Sequence, residues 1–211
     1  MKDRHGDIRR QYSVGALQED ALAADPLLQF GNWLEQAIQA QLVDATAMSL
    51  ATADEQGDPS VRIVLLKHHD ADGFVFYTDY RSLKAMQLNS NPRAELLFYW
   101  REFERQVRIS GVVAKLPRAD SENYFTSRPR ESQISALSSQ QSAEIGSRAE
   151  LEAAAQAWRA HTDPLPTPDD WGGFRLQPQR YEFWQGRDNR LHDRFVYRQA
   201  GRDWRITRLQ P

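Results

Sequence analysis

The sequence predicts a mainly β protein with peripheral helices, built as a small antiparallel barrel. Short runs rich in β-branched and aromatic residues recur along the chain, and sheets favour those types. Short turns join most of these runs, which makes neighbouring strands antiparallel. Such a sheet hides its edges by closing or pairing.

Residues 1–24 are polar with little periodicity and are expected to be mobile in isolation. Asp25-Pro26 reads as a helix start, a capping carboxylate followed by proline at the first helical position. Leu27, Phe30, Leu34, Ile38 and Leu42 then follow at helical spacing, and Trp33 and Ala37 widen that face. Strands are expected over 48–53, 60–67 and 74–78. The second is apolar at its centre and reads as buried on both faces. HHDADG (68–73) reads as a turn. Ser82 starts a short helix that Pro92 stops. Two longer strands are expected over 93–100 and 105–116, with a bulge at Gly111 where the alternation shifts phase. Residues 118–160 are helical in character, broken at Arg128-Pro129 and near Gly146. A proline-rich linker (161–170) leads to GGFRLQP, RYEFWQG, DRFVYRQ and WRITRLQ, read as strands, the last two joined as a hairpin by AGRD.

The 211 residues suit one domain over 25–211, long enough to bury a core without staples. The absence of cysteine excludes a disulfide scaffold, thiolate metal sites and a cysteine nucleophile. No apolar run is long enough to span a membrane. The start of the chain lacks the apolar core of a secretory signal, so a soluble, cytoplasmic protein is expected. The net charge of −2 is unevenly placed: residues 171–211 hold 9 arginines against 4 acids. Arginine outnumbers lysine 23 to 4, and its planar fork suits phosphates and carboxylates. Dinucleotide, P-loop, zinc-protease and serine-hydrolase motifs are absent. The five histidines have no metal-site spacing, so no metal is expected, and chemistry here calls for a borrowed cofactor.

Four segments combine cations with hydroxyls or aromatics. Arg62 to Lys67 places a cation at each end of an apolar strand, which on its own reads as two surface ends. Tyr77-Thr78 with Ser82 and Lys84 brings hydroxyls and a cation to a helix N-terminus, a natural phosphate site and equally an ordinary cap. Tyr124, Arg128 and Ser132 are each four apart, so a helical path puts phenol, guanidinium and hydroxyl on one face, although Pro129 interrupts it. Arg190, His192 and Arg194 alternate, so a strand presents all three together, a row that calls for an anion. With Trp100, Trp171 and Trp184 as aromatic platforms, these point to a flat phosphorylated cofactor beside a phosphorylated substrate.

The segments IRRQY, DATAM, RIVLLKH, FYT, ERQVR, YFTSRPRESQI, FWQG and RLHDRF together resemble the pyridoxamine 5′-phosphate oxidase family from Ile8 to Pro211. The resemblance implies an FMN-binding split β-barrel that includes C-terminal dimerisation strands and works as a homodimer with FMN at the interface. It implies FMN contacts from Arg62, Ile63, Val64, Leu65, Leu66, Lys67, Tyr77, Thr78, Lys84 and Gln106. Gln141, Ser142, Trp184 and Arg194 are expected to reach FMN from the other subunit. The substrate, pyridoxamine or pyridoxine 5′-phosphate, is implied to be gripped at its phosphate by Lys67, Tyr124, Arg128 and Ser132. Arg190, Leu191 and His192 are expected to cover its ring, with Arg190 and His192 catalytic. Arg9, Arg10, Gln11 and Tyr12 lie on a segment expected to fold over it. The implied reaction moves hydride from C4′ to flavin N5, and dioxygen then yields hydrogen peroxide. One departure stands out: Leu83 occupies a place that is often cationic in the family. A non-catalytic flavin or pyridoxal phosphate binder has no use for a second phosphate grip. A nucleic-acid-binding barrel fits poorly with the net acidity.

Overall fold

The computed structural model describes residues 10–201 and 203–211. Its elements are α1 (Pro26–Gln39), β1 (Ala47–Ala53), β2 (Pro59–Leu65), β3 (His68–Asp70), β4 (Gly73–Asp79), α2 (Leu83–Ser90), β5 (Arg93–Trp100), β6 (Arg105–Lys115), α3 (Arg118–Ser127), α4 (Arg130–Ser138), α5 (Arg148–Arg159), β7 (Trp171–Gln185), β8 (Asp193–Ala200) and β9 (Asp203–Leu209). The strands form one sheet in the order β2-β1-β5-β6-β7-β4-β3, with β8 on β7 and β9 on β8. No helix among the described residues is long and apolar enough to cross a membrane. Tertiary contacts divide the chain into two units. A terminal unit comprises the described residues up to Ser49, Leu96–Ser110 and Pro178–Pro211, and a central unit comprises Leu50–Glu95 and Gly111–Gln177.

In the terminal unit α1 starts as its sequence dictates. Pro26 occupies the first turn, and the Asp25 carboxylate accepts a hydrogen bond from the Leu27 N–H at 2.9 Å. Its buried stripe runs through Phe30, Trp33, Leu34 and Ala37, and Ile38 falls outside it at 47% exposure. The stripe packs aromatically, Phe30 against Phe98 at 4.9 Å and Trp33 edge-on to Phe183 at 5.3 Å. Trp100 is part of this core and not a platform: it is buried, and its indole N–H donates to the Ala45 carbonyl at 2.9 Å. β8 and β9 form the expected hairpin, with Ala200 opposite Asp203.

In the central unit, β4 pairs antiparallel with β7 from Phe74↔Leu176 to Asp79↔Trp171. Phe76 and Phe174 stack beneath this ladder at 5.8 Å. Phe125, Ile134, Leu165 and Trp171 form a second apolar cluster under α3 and α4.

Several expectations are corrected. β2 is not buried on both faces: Val61, Ile63 and Leu65 are 69%, 64% and 42% exposed. An apolar run reads the same whether a face is filled by its own chain or left open. The stretch expected to turn at 68–73 begins as β3, paired with β4 through His68↔Val75. β6 holds one phase, with Val107, Ile109, Gly111 and Val113 all inward, so Gly111 marks no bulge. It is small because the Gln177 carbonyl passes where a side chain would sit, 2.0 Å from an ideal Cβ. GGFRLQP and RYEFWQG are one strand, β7. Pro178 lies between the stretches that pair with β4 and with β8, where it removes no bond from those ladders.

Gly111→Ala is expected to lower stability by about 1–3 kcal/mol or more, because the obstacle is backbone and not a flexible side chain. Urea denaturation of the variant against the parent chain measures this.

Candidate functional site

The central unit contains an open cleft of about 970 Å³. β2 forms one wall from Ser60 to Leu65, with Lys67 just beyond it. Tyr77, Thr78 and Asp79 enter from the end of β4, Leu83 and Lys84 from the start of α2, and Tyr124, Arg128 and Ser132 from the α3–α4 region. Gln141, Ser142 and Trp171 complete it.

One group of donors gathers where β4 meets α2. Lys84 is 7% exposed, and its ammonium donates to Thr78 Oγ1 at 3.1 Å, Ser82 Oγ at 3.2 Å and Gln141 Oε1 at 2.7 Å. All three acceptors are neutral. Burial, and then the nearby Arg62 guanidinium, push its pKa down to about 8. Arg62 also has neutral partners, Thr52 Oγ1 at 2.6 Å and the Leu50 carbonyl at 3.2 Å, and burial lowers its pKa too. Ser82 takes the expected N-cap position, but its hydroxyl donates back to the Asp79 carbonyl at 2.7 Å. The Leu83 N–H instead donates to Ser142 Oγ at 3.2 Å.

The loop carrying Gln141 and Ser142 is tied down by Asp79. This buried carboxylate accepts from the Gln141 N–H at 3.3 Å and from the Arg81 side chain at 2.7 and 3.0 Å. Burial alone would raise the Asp79 carboxyl, but the hydrogen bonds from Arg81 and Gln141 outweigh it and hold the pKa below the usual value.

A second group centres on Arg128. α3 ends at Ser127 and α4 begins at Arg130, so Tyr124, Arg128 and Ser132 do not share a helical face. Pro129 cannot continue α3. The break still brings all three to the cleft. Tyr124 stacks on Tyr77 at 3.9 Å between centroids. Arg128 Nη1 is buried and makes no hydrogen bond. Such an atom is costly unless a ligand satisfies it.

Most of the expected central-unit residues therefore converge. Arg62, Ile63, Val64, Leu65, Lys67, Tyr77, Thr78, Lys84, Tyr124, Arg128 and Ser132 all line the cleft, and Gln141 and Ser142 do so from the same chain. Leu66 does not; it is buried, outside the lining. Asp79, which lines the cleft as well, was not among the expected site residues, and Trp171, expected as an aromatic platform, lines it too.

The remaining expected residues belong to the terminal unit. Arg190, His192 and Arg194 do not lie on one strand. Asp188–Arg190 is a 3-10 turn in which Asn189 and Arg190 take left-handed backbone (φ 55° and 65°), and β8 starts only at Asp193. Local turn geometry overrides the alternation. His192 Nδ1 accepts a hydrogen bond from the Arg187 N–H at 3.1 Å, so the neutral ring carries its proton on Nε2. Burial, and then Arg190, lower its pKa. Tyr12 meets His192 edge-on at 5.4 Å and Trp184 at 5.7 Å, and it fits because Gly186 has no side chain there. Arg10 pairs with Glu104 at 2.9 Å, and Gln11 is exposed beside it. Arg194 is bound to the buried Glu182 at 2.6 Å, and Arg180 shares that carboxylate. Gln106 is half-buried on β6, and Leu191 is 69% exposed. Arg9 lies outside the described residues.

Comparison with known proteins gives a consistent picture. Residues 34–162 match the family model described as pyridoxamine 5′-phosphate oxidase, and residues 171–211 match pyridoxine 5′-phosphate oxidase C-terminal dimerisation region. The chain is 50% identical to a pyridoxine/pyridoxamine 5′-phosphate oxidase of Rubrobacter xylanophilus, covering 97% of this chain and 95% of that one. It is 49% identical to the protein of the same name from Cupriavidus metallidurans, covering 97% and 98%. Among solved structures it resembles PhzG from Burkholderia lata in complex with tetrahydrophenazine-1-carboxylic acid (TM-score 0.90, 33% identity, 94% of this chain and 100% of that one). It also resembles a pyridoxamine 5′-phosphate oxidase-related, FMN binding protein of Nostoc punctiforme (TM-score 0.72, 18% identity, 90% and 100%). The latter likeness speaks to fold alone: a mainly antiparallel split barrel with helices, as expected from the sequence.

The depressed Lys84 pKa sets a stability trend. Between about 8 and the usual 10.5 the unfolded chain binds more protons than the folded one, so this group makes ligand-free stability rise with pH. Urea titrations at several pH values should show that rise in the parent chain relative to Lys84→Met.

Proposed function

The chain belongs to the pyridoxamine 5′-phosphate oxidase family, and from this premise we propose how its cleft is used. The activity is oxidation of pyridoxine or pyridoxamine 5′-phosphate to pyridoxal 5′-phosphate, and the protein is a flavoprotein that works as a homodimer.

In this reading FMN is the flavin, with its phosphate at Lys84, Arg62 and Thr78. The single observation that carries it is the cleft's two sets of cations with no bonded carboxylate among the described residues, Lys84 with Arg62 and, separately, Arg128. One set suits a cofactor phosphate and the other a substrate phosphate. The β2 wall, with its exposed apolar residues, suits a flat ring system. Lys67, Tyr124, Arg128 and Ser132 grip the substrate phosphate, remote from the reacting carbon, so binding energy is used for orientation. The chemistry supplied by bound FMN is acceptance of a hydride from substrate C4′, with dioxygen as final acceptor and hydrogen peroxide as its product.

Arg190 and His192 act on the substrate ring. With Nδ1 occupied by the Arg187 N–H, His192 presents Nε2–H as a hydrogen-bond donor. It therefore polarises the substrate and does not begin as a base at that nitrogen. Arg10, Gln11 and Tyr12, with Arg9, cover the substrate. FMN at the subunit interface, with Gln106, Trp184 and Arg194 contributing, completes the proposal.

The test is to purify the yellow protein and add pyridoxamine 5′-phosphate. Bleaching without oxygen and peroxide with it are expected; an unbleached flavin would overturn the reading. His192→Ala and Arg190→Ala should each cut turnover at least tenfold while sparing FMN binding, and full activity in both would remove their assignment. Leu83, exposed at the cleft beside Lys84, tests the cofactor phosphate end. Leu83→Arg should tighten FMN severalfold, and an unchanged dissociation constant by fluorescence titration would count against that placement.

A further inference from the structure

We propose that Trp171 is a positioning residue for the substrate phosphate, its indole face holding the Arg128 guanidinium in the cleft with its donors free. The proposal rests on the reading of Arg128 as a phosphate ligand.

Arg128 lies on the short link between α3 and α4, and its backbone is fixed there. Pro129 follows it, and Gln133 Nε2 donates to its carbonyl at 2.9 Å. Its side chain has no carboxylate in salt-bridge reach among the described residues. What orients it is aromatic: the guanidinium carbon lies 4.7 Å from the Trp171 ring centroid and 5.7 Å from that of Phe125. The choice of partner matters. A carboxylate would orient the fork by consuming its N–H donors and cancelling its charge. A ring face attracts the cation through its quadrupole and leaves the in-plane donors unspent. The buried, partnerless Nη1 is the visible result.

Trp171 is itself held firmly enough for this task. It opens β7 opposite Asp79, and its N–H donates to the Pro168 carbonyl at 3.2 Å. Its ring is edge-on to Phe125 at 5.2 Å and nearly parallel to Tyr77 at 5.4 Å. The next residue, Gly172, has no side chain where the Tyr80 hydroxyl approaches to 2.2 Å of an ideal Cβ, which lets the strand end seat closely.

The test uses FMN-loaded protein and pyridoxamine 5′-phosphate. Trp171→Leu should raise KM about tenfold, the effect of losing one desolvated cation–π contact, with kcat and FMN affinity unchanged. Trp171→Phe, which keeps a ring face, should recover most of that loss. Equal KM values in the two variants, or kcat and FMN affinity falling together, would overturn the proposal. Should Trp171→Leu fail to fold, a double-mutant cycle replaces it: the smaller KM effect of Trp171→Phe must vanish in an Arg128→Met background. Additive effects there sink the Trp171 role alone. An unchanged KM in Arg128→Met sinks the underlying reading of Arg128 as well.

Discussion

Arg62, Lys84 and Arg128 sit in one cleft against hydroxyls, carbonyls, an amide and aromatic faces, with no carboxylate among the described residues bonded to any of them. Holding a cation out of water without a bonded counter-ion is unfavourable; burial, and then Arg62, lower the Lys84 pKa against the opposing charge of Asp79. Proteins ordinarily relieve such a situation with an Asp or Glu. Here the nearest candidate, Asp79, is turned to Arg81 and the Gln141 backbone. The rest of the central unit can be understood as the scaffold that keeps this imbalance in place: the β4–β7 ladder, the break at Pro129, and the loop that Asp79 secures.

The terminal unit handles its arginines in the opposite way. Glu182, 2% exposed, gathers Arg180 and Arg194. Asp193 takes Arg187 and Arg208, and Glu104 takes Arg10. Of the arginine-rich C-terminal stretch, Arg180, Arg187, Arg194 and Arg208 are thus in ion pairs, while Arg190, Arg198 and Arg205 are exposed. Removing the arginines would leave the buried Glu182 carboxylate unpaired, which costs far more than such a pair contributes net.

Much of this was legible in the residues. Asp25-Pro26, Arg128-Pro129 and AGRD carry their own capping, breaking and turning chemistry, and the elements they delimit appear where the sequence puts them. Local pattern left Tyr77-Thr78, Ser82 and Lys84 open between a phosphate site and an ordinary cap and read Arg62 and Lys67 as surface ends; the family resemblance is what joined them into one site. What was hidden depended on partners distant in sequence. Gly111 is small because of the Gln177 carbonyl, and no local pattern announces that. The exposure of Val61, Ile63 and Leu65 depends on what the chain leaves uncovered. The turn at Asn189 had a signal, since Asn tolerates left-handed backbone, but the alternation of Arg190, His192 and Arg194 masked it. Trp171 read as a platform for a ring and proves to face an arginine.

The attachment of the segment before α1 has a consequence of its own. Among the described residues its tethers are Val14 N–H and Arg10 to Glu104, Leu17 N–H to Asp193, the Ala23 N–H to Gln29 and its carbonyl to the Tyr197 hydroxyl, the buried Leu17 side chain, and the Tyr12 ring in the notch left by Gly186. No strand ladder runs through its described residues, so these can peel away at a fraction of the cost of melting the sheet. Amide protons there should trade with solvent long before those of the strands beneath. Tyr12 is thereby a detachable neighbour of His192, present or absent without any rearrangement of the barrel.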